Sequence, residues 1–281
     1  MKWVQRHVLA AVCALMASAQ PASAADAPRR VVSFNLCADQ LVVALADPGQ
    51  IAGLSPYAAN PVLSVVAEQA KSYPRLDWDT EATIAFAPDL VLVGPSHRTV
   101  MQHTLRSLGM RLVEVELITD IAAARAQIEQ MAALLGHPER GQALIARLDR
   151  ARQRLAAAPR PPLKTALVIE RGGYTAGPAS LAAALVAEAG FQPPTGTPEG
   201  YGGYVPLERL LMLRPDLLVL KDPPAEPGDQ GALFFTHPAV RALYPPERRI
   251  ALSARYTLCG GPALVAALDY LADVLTALTR R

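Results

Sequence analysis

The sequence predicts an α/β protein built as two similar lobes with a ligand cleft between them, and three observations carry that prediction. Strand-like and helix-like runs alternate through residues 29–118 and again through 163–281, the pattern of parallel sheets covered by helices. Two blocks repeat in one register: Glu81 opens Glu-Ala-Thr-Ile-Ala-Phe-Ala-Pro-Asp-Leu-Val-Leu-Val, and Glu208 opens Glu-Arg-Leu-Leu-Met-Leu-Arg-Pro-Asp-Leu-Leu-Val-Leu. Between the two alternating regions, residues 119–160 read as nearly continuous helix. The resulting plan is two Rossmann-like lobes with central parallel sheets, joined by a long rigid helix.

The first lobe begins with a strand over 30–34 and a helix over 38–46, whose Leu41, Val42 and Leu45 fall on one face. Pro48-Gly49 ends that helix, and 51–55 forms a second short strand. The first repeat helix covers 79–86 and must stop before Pro88, because the residue preceding proline is pushed out of the helical region. Its buried strand follows over 90–93, then a helix over 100–108 closed by Gly109, and a strand over 111–115. Helices over 121–135 and 139–158 make the spine, broken at Gly136-His137-Pro138 and stopped by Pro159-Arg160-Pro161-Pro162. The second lobe repeats the plan with a strand over 164–170 and a helix over 180–189 capped by Ser180 and ended by Gly190. The second repeat helix starts at Pro206, strands follow over 217–220 and 249–252, and an apolar helix over 262–278 closes the chain.

Residues 1–24 read as a secretory signal, with a basic start, an apolar run over 8–19 and the small-residue site Ala22-Ser23-Ala24. Cys13 lies inside the apolar run, which favours a soluble exported protein over a lipid-anchored one. No later stretch reads as a membrane span, since charge, proline or glycine interrupts each apolar run well short of about twenty residues. A net charge of +2 with scattered basic residues argues against a nucleic-acid partner. The five histidines do not take zinc-site spacing, and neither a glycine-rich phosphate loop nor a Gly-x-Ser-x-Gly elbow occurs.

Ligands of open α/β sheets sit beyond the carboxyl ends of the strands, so the loops leaving those ends supply the candidate binding residues. In the first lobe these are Phe34, Asn35 and Cys37, Tyr57, the 73–78 loop ending in Trp78, and Ser96-His97-Arg98. In the second they are Arg171 and Tyr174, Tyr201 and Tyr204, and Arg255, Tyr256 and Cys259. Aromatic residues make up only 5% of the chain, yet Tyr and Trp gather in these loops, often beside glycine. Rings next to pliable backbone suit a large, partly apolar, ring-bearing ligand, and the arginines suit carboxylate or phosphate groups on it. Cys37 and Cys259 admit three readings: a disulfide tying the lobes across the cleft mouth, two unpaired thiols at helix starts, or a pair poised to ligate a metal centre.

The Arg30-Val31-Val32-Ser33 opening, the paired Glu to Pro-Asp-Leu blocks, the intervening helix and the apolar last helix together resemble the helical-spine class of periplasmic substrate-binding proteins of ABC importers for iron siderophores, haem and cobalamin. The resemblance covers nearly all of the chain after the signal. It implies a periplasmic monomer that catalyses nothing and holds no resident cofactor. It also implies a cobalt or iron chelate as ligand; among these, the tyrosine-rich, cysteine-bearing loops favour a cobalamin-like corrinoid, a broad neutral-to-anionic macrocycle. The partner it implies is a permease dimer in the inner membrane, with Glu81 and Glu208 as the docking residue of each lobe. The competing expectation is a periplasmic thiol-redox or metal-handling protein using Cys37 and Cys259.

Overall fold

The computed structural model describes residues 27–95, 99–221 and 233–280. The signal expected at 1–24, and Ser96, His97 and Arg98, lie outside the described residues. The first lobe runs β1 (Val31–Ser33), α1 (Leu36–Leu45), β2 (Ile51–Gly53), α2 (Ala67–Ala70), α3 (Thr80–Ala85), β3 (Leu90–Val93), α4 (Thr99–Ser107) and β4 (Leu112–Glu114). Its four strands lie in the order β2-β1-β3-β4, all parallel. The linking helices are α5 (Ile121–Leu135) and α6 (Pro138–Ala157). The second lobe contains β5 (Ala166–Ile169), β6 (Tyr174–Ala176), α7 (Leu181–Glu188), β7 (Gly202–Tyr204), α8 (Leu207–Leu213), β8 (Leu217–Leu220), α9 (Leu233–Thr236), α10 (Pro238–Leu243), β9 (Arg249–Ala251), α11 (Ala254–Thr257) and α12 (Pro262–Thr279).

The second sheet is mostly parallel in its centre but carries an antiparallel pair at one edge. Its order is β7-β6-β5-β8-β9, with β5, β8 and β9 parallel but β6 and β7 antiparallel. The cause is local. Gly172 and Gly173 take φ of +68° and +84°, a left-handed conformation that glycine adopts without penalty, so the chain reverses after β5 and Glu170 N–H bonds the Tyr174 carbonyl.

The repeated blocks are equivalent in conformation as well as in sequence. Among the described residues, Ala87 (φ 44°) and Arg214 (φ 43°) are the two non-glycine positions with positive φ. Each immediately precedes the proline of its block, where the right-handed helical region is disfavoured. The aspartate after each proline has a structural task. Asp89 accepts hydrogen bonds from the Arg29 and Arg30 N–H groups at 2.7 and 3.0 Å, and Asp216 accepts from the Lys164 and Thr165 N–H groups, both at 2.9 Å. In both lobes the block therefore clamps the start of the neighbouring strand, β1 or β5. The Thr165 and Lys164 donors hold the Asp216 carboxyl below its ordinary pKa.

The spine folds back on itself. The expected break at Gly136 is a tight turn, Arg125 on α5 reaches Asp149 on α6 at 2.6 Å, and the two helices pack as an antiparallel hairpin rather than a single rod. The longer helix, α6, fastens both lobes: Arg140 bonds the Leu45 carbonyl at 2.9 Å, Arg152 pairs with Glu188 on α7 at 2.9 Å, and Arg154 reaches Asp269 on α12 at 3.1 Å. Partly exposed pairs of this kind contribute at most about 1 kcal/mol each, and their main effect is to fix orientation.

Hydrophobic burial joins the halves more strongly. Alternate strand residues face a common core: Val31, Leu90 and Leu92 from the first sheet and Val168, Leu217 and Val219 from the second pack with Leu41, Ile128, Leu148 and Leu268. The opposite sheet faces keep separate cores, one around Val32, Val91 and Leu105 and the other around Leu167, Leu218 and Tyr244. Helix α12 is long and apolar enough to cross a membrane by composition. Its Leu264, Leu268, Leu271 and Leu275 are instead at most 1% exposed, packed chiefly against α6.

Candidate functional site

Two cross-lobe links locate the cleft. Cys37, in the first turn of α1 just beyond the carboxyl end of β1, is disulfide-bonded to Cys259, which follows β9 and α11, with Cα atoms 5.0 Å apart. Arg255 Nη1, on the same segment, donates to the Pro61 carbonyl in the loop after β2 at 3.3 Å. The carboxyl edges of the two sheets therefore face each other, which is where an open α/β sheet places a ligand. The two residues after Cys259 are sealed against the central layer: a Cβ on Gly260 would lie 2.7 Å from Ile118 Cδ1, and one on Gly261 2.7 Å from Leu41 Cδ2.

The first lobe brings Phe34, Trp78 and Tyr57 together. Trp78 lies 5.7 Å from the Phe34 ring and 5.6 Å from the Tyr57 ring, both tilted, within the range of favourable aromatic contact. Phe34 is buried and Tyr57 is 44% exposed, so the cluster runs from the core out to solvent. Asn35 is the N-cap of α1, its Oδ1 accepting from the Cys37 and Ala38 N–H groups, both at 2.9 Å. That bonding shapes the loop.

Beneath the loop lies a buried acid absent from the sequence-predicted set. Asp39 is 0% exposed; its Oδ1 accepts from Ser55 N–H at 3.2 Å and its Oδ2 from the Ser55 hydroxyl at 2.5 Å. Ser55 Oγ in turn accepts from Tyr57 N–H at 3.2 Å. Burial raises the Asp39 carboxyl to about 7, against the lowering effect of hydrogen bonds from Ser33 and Ser55. The available signal was an Asp-Gln pair set into an otherwise apolar helix.

In the second lobe Tyr174 and Tyr204 are cross-strand partners on β6 and β7, with rings edge to face at 5.4 Å. Tyr204 is 76% exposed. Tyr201 lies at the opposite end of β7 from Tyr204; it is 65% exposed, and its carbonyl is 3.4 Å from the Tyr174 hydroxyl. Arg171 is exposed in the turn before β6. Tyr256 is half-buried and stacks on Tyr270 at 5.1 Å, while the Arg255 guanidinium sits 5.3 Å above the Tyr256 ring. Pro61 and Tyr270 also escaped sequence reasoning, because their roles arise only from packing between distant segments.

Glu81 and Glu208 occupy matching places in the first turns of α3 and α8, and both are exposed. Among the described residues, no group of three or more His, Cys, Asp or Glu side chains is placed to hold a metal ion. A separate apolar cavity of about 250 Å³ lies between α7 and β5, lined by Ala166, Val168, Ala183 and Phe191.

Several solved structures share this architecture. A periplasmic heme-binding protein from Pseudomonas aeruginosa is 21% identical with a TM-score of 0.69, covering 89% of this chain and 93% of that one. The periplasmic vitamin B12 binding protein BtuF of Vibrio cholerae is 17% identical with a TM-score of 0.67, covering 90% and 99%. An ABC-type Fe3+-hydroxamate transport system protein from Saccharomonospora viridis is 20% identical with a TM-score of 0.66, covering 88% and 93%. At these identities the likeness is one of fold. No match was found among curated proteins. The periplasmic binding protein family matches residues 31–232, well over half of the chain, in agreement with the paired sheets and the cleft at their carboxyl edges. The chain belongs to the periplasmic binding protein family.

Proposed function

We propose that this protein is exported to the periplasm, where it captures a metal chelate in the interlobe cleft and delivers it to the paired permease subunits of an ABC importer in the inner membrane. The chelate class is a cobalamin-like corrinoid, haem or a ferric siderophore. The supporting observation is the pairing of carboxyl edges, with Phe34, Tyr57 and Trp78 on one lobe and Tyr174, Tyr204 and Arg255 on the other. Such a cleft offers flat amphipathic rings to a broad ligand and a guanidinium to its polar groups. The metal arrives inside its own chelate, as cargo. A thiol-redox role is not favoured, because the chain belongs to the periplasmic binding protein family and Cys259, at 1% exposed, is shielded from a redox partner.

Trp78 makes the binding reading testable, since the other of the two tryptophans, Trp3, falls in the expected signal. Titrating the mature protein with cyanocobalamin, cobinamide, haemin and ferric siderophores should give saturable quenching at about micromolar ligand or below for one class, and Trp78→Phe should abolish the signal. A folded protein that answers none of them would overturn the reading.

Docking rests on Glu81 and Glu208. Two spaced carboxylates contribute little as lone surface charges, but they orient and speed encounter with a basic, two-halved partner. The double variant Glu81→Lys/Glu208→Lys is expected to bind ligand with unchanged affinity yet support no uptake in cells where it replaces the native copy. Normal uptake would remove the docking role.

A further inference from the structure

We infer that Arg255 is an anion clamp and that the cargo presents a carboxylate or phosphate to it, an inference that rests on the binding function proposed above. Other arginines near the lobe junction are well satisfied. Arg140 bonds the Leu45 carbonyl and Asp47, Arg152 takes both oxygens of Glu188, and Arg154 takes Asp269 and Asp273. Arg255 is not. Among the described residues it pairs with no carboxylate, its contact to the Pro61 carbonyl is long at 3.3 Å, and its Nε–H is buried with no acceptor.

A guanidinium donor left without a partner out of water is costly, more so than a neutral one. Such a site persists when something that visits it repays the cost. Arg249 shares an unpartnered Nε, but it lies within β9 and bonds the Val240 carbonyl of its own lobe. Arg255 instead bridges the lobes at the cleft, lying over a Tyr256–Tyr270 stack whose far ring is anchored by a 2.6 Å hydrogen bond from the Tyr270 hydroxyl to the Ala251 carbonyl.

The backbone beneath Arg255 is equally fixed, because Cys259, one turn further on, is bonded to Cys37. The adaptable part is the side chain together with the exposed Pro61 loop. An entering anion therefore displaces the Pro61 carbonyl, a neutral acceptor, and offers the guanidinium two charged oxygens in its place. Pairing of this kind adds an ionised acceptor and a second parallel N–H···O bond to what the single Pro61 contact supplies. Arg255 thus trades a weak lobe-to-lobe contact for the cargo.

The test compares wild type, Arg255→Gln and Arg255→Lys against four probes read by Trp78 emission: haemin, which carries carboxylates; cyanocobalamin, which carries a phosphodiester; cobinamide, a corrin without it; and ferrichrome, which is uncharged. At least one acid-bearing probe is expected to bind wild type. Arg255→Gln should weaken that probe at least tenfold, Arg255→Lys should weaken it less, and raising the salt should weaken wild type more than Arg255→Gln. Haemin binding alone identifies carboxylate as the group, and cyanocobalamin binding over cobinamide identifies phosphate. In the absence of ligand, the melting temperature of Arg255→Gln should equal or exceed that of wild type, since an unsatisfied buried donor is removed; a residue acting merely as a lobe staple would lower it. Binding confined to cobinamide or ferrichrome, or an acid-bearing probe held within twofold by Arg255→Gln, overturns the clamp while leaving the binding function standing. Silence from every probe with wild type folded overturns both.

Discussion

Replacing Cys37 and Cys259 together with serine is expected to destabilise the protein by roughly 3–5 kcal/mol, lowering its melting temperature by about 10 °C for a chain of this size. The residues are separated by 222 positions, so the bond closes most of the chain into one loop and removes much of the unfolded state's freedom. The native fold should survive the loss, because the shared core of α1, α5, α6 and α12 already holds the two sheets together. Wild type treated with a reductant should melt with the double variant, and a thiol titration of the unreduced, unfolded wild type should find no free sulfhydryl among residues 27–280. If reductant leaves the melting temperature unchanged, the bond contributes no stability. The loosened α11 segment would also let Arg255 wander, so affinity for cargo should fall several-fold while uptake persists. A protein whose work is thiol chemistry would instead lose all function in either single variant.

The parts of this fold visible in the sequence are those whose cause is local or periodic. Leu90–Val93 and Leu217–Leu220 are fully apolar because helices cover both faces of those strands, and their shared register made the duplication apparent. Pro88 and Pro215 marked the helix ends for the same local reason. The antiparallel pair β6 and β7 left no comparable trace. Three-residue strands such as Gly202–Tyr204 carry too little alternation to read, and glycine inside a strand argues against one. Gly136 announced a stop between α5 and α6, but the direction of the second helix depends on burying Ile128 and Leu148 together, which is a tertiary matter. The site divides in the same way. Residue type and loop position brought Tyr57, Trp78, Tyr174 and Arg255 into consideration. The cysteine pairing depended on a distance between remote segments, and Asp39 was hidden because its meaning lies in Ser33 and Ser55, brought to it by two different strands.

Asp39 should make the protein's stability fall as the pH rises from about 4 toward 7. The folded state raises this carboxyl from 3.8 to about 7, chiefly by burial, so between those two values the native protein holds a proton that the unfolded chain has released. Stability from this group is complete below the unfolded value, declines through the window and is lost above the folded value. A shift of that size corresponds to something on the order of 4 kcal/mol, an upper figure because local opening admits water. Asp39→Asn removes the ionisation and keeps the geometry: an amide oxygen accepts from Ser55 N–H as Oδ1 does now, and the amide nitrogen donates to Ser55 Oγ. Urea midpoints at pH 5 and pH 8 should therefore drop for wild type, stay level for the variant and leave the variant the more stable at pH 8. Parallel profiles would mean that Asp39 does not titrate in this window. The consequence reaches the cleft through two bonds. Ser55 Oγ, the group Asp39 holds, also accepts from Tyr57 N–H, and Tyr57 leans on Trp78. A carboxylate forced to ionise there loosens the loop that carries Tyr57, so Trp78 emission in the ligand-free protein should change across the same pH range in wild type and stay flat in Asp39→Asn.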